Sequence, residues 1–137
     1  MWGEDGRRPM PSIVLDQLDR FGPERCETLD RAAARQYARD FATSHYENFS
    51  VVTWLLPRRL REHFAAVYAF CRWADDLGDE TGDPRESMRL LDWWRDELAR
   101  CYAGEPRHPV FVALRPTVEQ FEIPSAPFAD LISAFEQ

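Results

Sequence analysis

Asp75, Asp76 and Asp79 stand in the spacing D-D-x-x-D at the end of a stretch from Pro57 that carries no further proline, and no glycine before Gly78. On a helix the carboxylates of Asp75 and Asp79 lie one above the other at i,i+4, and like charges so placed repel. The arrangement costs stability unless something positive sits between them. Magnesium suits the place, because it prefers hard oxygen ligands and commonly uses one or two protein carboxylates, with water and phosphate oxygens completing its shell. A diphosphate would bridge such a metal, and neutralising its charge makes it a better leaving group. Arg72, three residues before Asp75, can either pair with the carboxylates or reach a diphosphate beside them. Tyr68 and Phe64 continue the same stripe with aromatic surface, whose ring faces stabilise cationic carbon and exclude water.

Taken singly, each of these features is ordinary. An acidic cluster before glycines is most often a solvated turn, an arginine beside it a structural ion-pair partner, and two aromatic residues part of a core. An EF-hand is a poor fit, since its D-x-D-x-D-G spacing is absent. His45, His63 and His108 follow no metal-ligand pattern, and Cys26, Cys71 and Cys101 lack the CxxC spacing of a zinc site, so reduced cytosolic thiols are the simplest reading.

The elements that must position these side chains read as helices. Asp30 to His45 is alanine-rich with Tyr37 and Phe41 on one face. Glu47 to Leu56 is apolar and stopped by Pro57; local preference would allow a strand, and context favours a short helix. From Pro57 onward a 100° step places Arg61, Phe64, Tyr68, Cys71, Arg72, Asp75 and Asp79 on one stripe, with Ala66, Phe70, Trp73 and Leu77 opposite. A helix apolar on two opposed faces belongs at the centre of a bundle. Asp83-Pro84 opens another helix with Met88, Leu91, Trp94, Leu98 and Tyr102 inward and Gly104 as its stop. A further helix over Pro109 to Phe121 is expected to kink or break near Pro116. Ser125 is placed to cap a last one carrying Phe128, Leu131, Ile132 and Phe135. Residues 1–28, rich in glycine and proline, are expected to be an irregular leader.

Bulk composition agrees with a folded, helical chain. The 137 residues are 45% hydrophobic and 13% aromatic, enough for a substantial core. A formal charge of −7 and a pI near 4.9 argue against nucleic-acid binding. All 17 basic residues are arginine, the better side chain for planar phosphate recognition. No signal peptide is visible, and no apolar run approaches the roughly 18 to 20 residues that span a bilayer, which leaves contact with a membrane surface as the available mode.

The longer string His45-Tyr-Glu-Asn-Phe-Ser50, then Leu56-Pro57, then Tyr68-Ala-Phe-Cys-Arg-Trp-Ala-Asp-Asp-Leu-Gly-Asp79-Glu80 resembles the squalene/phytoene synthase family. That family carries an H-x-x-S-F-like segment, an LLP turn and a Y-A-x-C-R-x-x-D-D-x-x-D block in its early helices. The resemblance covers about residues 35 to 135. It implies an all-α isoprenoid-synthase bundle, of which 29–137 would be the N-terminal part, with two aspartate-rich motifs facing each other across a cavity. Carried over by position, it makes Asp75 and Asp79 magnesium ligands, with Asp76 beside them helping to hold the cluster. Tyr68 and Arg72 match residues at the substrate diphosphate, and His45 and Asn48 match the start of the substrate-binding segment. Asn48 replaces a common serine, and Glu47 stands where some members have a basic residue. The wording looks closest to the bacterial hopanoid-pathway branch, whose members are thought to convert presqualene diphosphate to hydroxysqualene.

These implications amount to a magnesium-dependent enzyme ionising presqualene or farnesyl diphosphate, cytoplasmic and at most peripheral to the inner membrane. The second aspartate-rich motif and the later catalytic tyrosine do not occur before Gln137. The competing expectation is an inactive helical fragment or binding module, self-associating through an apolar face left open after Ser125.

Overall fold

Pro57 donates no backbone hydrogen bond and begins the longest helix at its N-cap, so the chain turns sharply and then runs uninterrupted for six turns. The structure, a computed structural model, describes residues 13–136. It contains eight helices among those residues: α1 (Ile13–Asp16), α2 (Leu18–Phe21), α3 (Arg31–His45), α4 (Phe49–Leu55), α5 (Arg58–Asp79), α6 (Pro84–Tyr102), α7 (Pro109–Phe121) and α8 (Ala126–Phe135). There is no strand among them, only a single bridge between Phe21 and Cys26.

Helix α5 is central, packing against α3, α6, α7 and α8. Its inner face, Ala66, Phe70, Trp73 and Leu77, is buried as expected. Trp73 stacks on Trp94 of α6 with ring centroids 5.1 Å apart, and Phe70 meets Phe128 of α8 at 4.9 Å. His108 lies within this aromatic core, 4.3 Å from Trp73, and its Nδ1 caps α7 by accepting from the Val110 N–H. Burial, reinforced by Arg107, holds its pKa well below the ordinary value, so the ring is neutral.

The helix starts follow local chemistry. Asp30 accepts from Ala33 N at 2.8 Å and Asp83 from Arg85 N at 3.0 Å, satisfying free donors at the heads of α3 and α6. Helix α6 ends before Gly104, whose φ of 89° is the left-handed conformation glycine adopts freely.

Several expectations need correction. Residues 13–28 are not an irregular leader: α1 and α2 bring Val14 and Phe21 into the core, with Phe21 edge-on to Tyr37 at 5.5 Å. Residues 1–12 of that stretch lie outside the described residues. Met88 is exposed, because α6 turns Leu90, Leu91, Trp93, Trp94 and Leu98 toward its neighbours instead. Helix α7 runs through Pro116 as one element. The Ser125 side chain makes no capping bond. Helix α8 docks onto α5 and α6, burying Phe128 and Ile132 and half-burying Leu131 and Phe135, so the apolar face expected to be open there is covered.

Candidate active site

The outer stripe of α5 forms the floor of the site. Phe64, Tyr68, Cys71, Arg72 and Asp75 are half-buried, and Asp79 at the helix end is exposed. Asp79 is close enough to bear on the Asp75 carboxyl both by hydrogen bonding and by charge. Burial first, then that hydrogen bond and the charges of Asp79 and Asp76, push the Asp75 pKa up to about 6 from 3.8, with Arg72 opposing. At neutral pH the Asp75 carboxylate is therefore ionised only against burial and the charges beside it.

Asp76, expected beside them as a metal ligand, does something else. It is buried and accepts a 3.1 Å hydrogen bond from Arg72 Nε, one turn back on the helix. The 100° step from Asp75 turns it toward the bundle and away from the carboxylate pair. Arg72 in turn donates from Nη1 to the Tyr68 hydroxyl at 3.4 Å. Of the two roles open to Arg72, the pairing is with Asp76, and it leaves the guanidinium fixed beside Asp75 with donors in reserve.

Below Arg72 the stripe continues as a cluster of aromatic rings. Tyr46 stacks on Tyr68 at 5.3 Å and lies 6.0 Å from Phe64, which stacks on Phe49 at 5.8 Å. Tyr46 and Phe49 were missed as site residues on sequence reasoning. Their signal was the three-residue spacing across the α3–α4 turn, which aims both rings at α5. The flanking positions behave differently. The His45 ring turns back along α3, its Nδ1 2.9 Å from the Phe41 carbonyl and its plane stacked on Phe41 at 4.2 Å. It lines a separate shallow cavity with Gln17, Tyr37 and Asp40. Asn48 is exposed at the N-cap of α4, without a side-chain capping bond. Neither is brought to the carboxylates.

Asp75 and Asp79 offer hard oxygen donors, and magnesium commonly takes one or two carboxylates with water and phosphate oxygens completing its shell. The donor set therefore fits magnesium held by Asp75 and Asp79, and does not form an all-protein cage.

Eight helices and no strand among the described residues, packed around the central α5, form the all-α isoprenoid-synthase fold. The sequence profile of the squalene/phytoene synthase family matches residues 42–137, and the chain belongs to that family. Among its relatives, a 15-cis-phytoene synthase from Synechocystis sp. is 30% identical over 125 residues, covering 91% of this chain and 37% of that protein. A phytoene synthase from Rhodobacter capsulatus is 38% identical over 93 residues, 67% of this chain and 27% of that protein. A presqualene diphosphate synthase from Rhodopseudomonas palustris is 32% identical over 82 residues, 60% of this chain and 29% of that protein. The crystal structure of squalene synthase HpnC from Alicyclobacillus acidocaldarius superposes with a TM-score of 0.69 at 48% identity, covering 76% of this chain and 39% of that one. The chain spans about a third of the length of the curated relatives it matches.

Proposed function

We propose that this chain carries the first diphosphate-binding half of a magnesium-dependent isoprenoid synthase that acts on presqualene diphosphate or farnesyl diphosphate, yielding squalene or hydroxysqualene for hopanoid-type triterpenoids. The observation that carries this reading is the carboxylate pair, Asp75 with Asp79, on the same helix stripe as Arg72, Tyr68 and Phe64, with Tyr46 stacked against it. Magnesium bound there would neutralise the departing diphosphate and orient it. Arg72, fixed by Asp76, donates to the diphosphate oxygens, and the aromatic rings shelter the allylic cation from water and stabilise it by their negative faces. His45 and Asn48 belong to the substrate-binding segment through the chain they flank, since Tyr46 between them reaches Tyr68. Among the described residues no helix is long and apolar enough to cross a membrane, and the substrate's apolar tail brings the enzyme to the cytoplasmic face of the inner membrane as a peripheral visitor.

The test supplies presqualene diphosphate and farnesyl diphosphate separately, with magnesium or with chelator, and identifies products by mass. Turnover that survives chelation removes the metal reading. The second reading is a helical module that is inactive until another segment supplies the remaining aspartates. It predicts magnesium binding at Asp75 and Asp79 without product.

A further inference from the structure

Five large apolar side chains stand exposed among the described residues, and four of them, Val51, Trp54, Leu55 and Phe121, lie at the end of the bundle where α5 begins. Helix α4 is fastened there by Phe49 against Phe64 and by Arg61 Nε donating to the Leu56 carbonyl at 3.3 Å. Phe121 reaches the same end from α7, edge-on to His63 at 5.0 Å. On α4 the i,i+3,i+4 spacing puts Val51, Trp54 and Leu55 on one face, with Ser50 and Thr53 on the other. Trp54 is 78% exposed and Leu55 70%. A tryptophan so placed gains nothing from water, and its amphipathic ring suits the boundary between headgroups and acyl chains.

Charge at this end runs against the chain's total of −7. Arg58 and Arg59 follow the apolar face directly and are exposed. Arg39 and Arg61 join Arg58 around a cavity of about 400 Å³ that also exposes Thr43, Ser50 and Thr53. Glu62, the acid lining it, is engaged by Arg35 at 3.3 Å. Arg39, Arg58 and Arg59 make no side-chain ion pair or hydrogen bond among the described residues. Guanidinium groups without a partner among the described residues, beside an exposed apolar face, match a ligand that is itself phosphate joined to hydrocarbon.

We propose that α4 and the start of α5 form the face by which this chain lies on an anionic bilayer, Val51, Trp54 and Leu55 entering the interfacial layer while Arg58 and Arg59 take lipid phosphates. The inference builds on the peripheral contact proposed above and names its surface. It also orients the site: the α5 stripe leads from this face past Phe64 and Tyr68 to Asp75, twelve residues or about 18 Å beyond His63. An isoprenoid tail leaving the bilayer would meet the aromatic stripe at its apolar end.

The test is co-sedimentation of the chain with vesicles of equal phosphatidylglycerol and phosphatidylcholine, against phosphatidylcholine alone, in chelator and without substrate. Binding to the anionic vesicles, weakened by salt, is expected. Trp54→Ser with Leu55→Ser should reduce it at least tenfold, as should Arg58→Glu with Arg59→Glu, with thermal melts unchanged. If the first pair melts early, Trp54→Gln alone replaces it. Asp75→Asn with Asp79→Asn should leave vesicle binding intact, which separates this proposal from the magnesium reading. Absence of binding, or binding indifferent to both face variants, overturns it. So does uptake of inorganic phosphate without vesicle binding, which assigns the cavity to a free anion. A dimer dissolved by Trp54→Ser with Leu55→Ser in a chain that ignores vesicles assigns the face to a second copy and overturns it equally.

Discussion

Asp75→Asn tests the carboxylate pair most directly. In the folded chain the Asp75 pKa is raised to about 6, chiefly by burial and then by Asp79, against 3.8 ordinarily. A group raised in this way holds an extra proton in the native state between about pH 4 and 6. The metal-free protein should therefore lose stability as pH rises through that window and level off above it. Two pH units correspond to at most about 3 kcal/mol. Asp79 is exposed and Asp75 only half-buried, so screening by water reduces the effect to about 1 kcal/mol. For a chain of this length that is roughly 3 to 5 °C in melting temperature. Thermal melts in chelator between pH 4.5 and 8 should show this decline in the parent chain and a flat profile in Asp75→Asn, with the variant melting higher at pH 7.5. Magnesium added at pH 7.5 should raise the parent's melting temperature and leave the variant unmoved. A variant that melts lower than the parent in chelator, or that gains as much from magnesium, refutes the argument that the pair is a strained cation site.

Three further outcomes follow from the packing. Trp94→Ala removes a fully buried ring that contacts Trp73 at 5.1 Å and Phe111 at 4.6 Å, and should cost about 3 to 5 kcal/mol in urea unfolding. Arg107→Ala strands the fully buried Glu97 carboxylate, its ion-pair partner, at a cost of about 3 kcal/mol measured the same way. Arg72→Lys keeps the charge but loses the planar fork that spans Asp76 and Tyr68; diphosphate affinity by calorimetry should fall about tenfold or more while the melting temperature moves little.

The site was legible to different depths. The aspartate spacing, the run without breakers from Pro57 and the Asp83-Pro84 start are local signals, and each appears where local physics places it. Asp76 shows the limit of such reasoning. Spacing groups it with Asp75 and Asp79, yet a 100° turn is enough to send it into the bundle, where Arg72 neutralises it. Tyr46 and Phe49 were invisible as site residues because their role depends on the angle at which the α3–α4 turn crosses α5. The segment from Glu47 to Leu56 had mixed preference, and packing of Phe49 and Phe64 resolves it as helix.

Sequence alone determined where α3, α5 and α6 start, which stripe of α5 is buried, and that two carboxylates stand one turn apart, because all three depend on neighbours within a few residues. Tertiary structure decided which face of α6 is inward, that His108 is a neutral core residue, that α1 and α2 join the core, and that the apolar side of α4 is left in solvent. Those outcomes depend on what a distant helix covers, and the chain's own periodicity carries no information about which of several possible neighbours will lie against a given face.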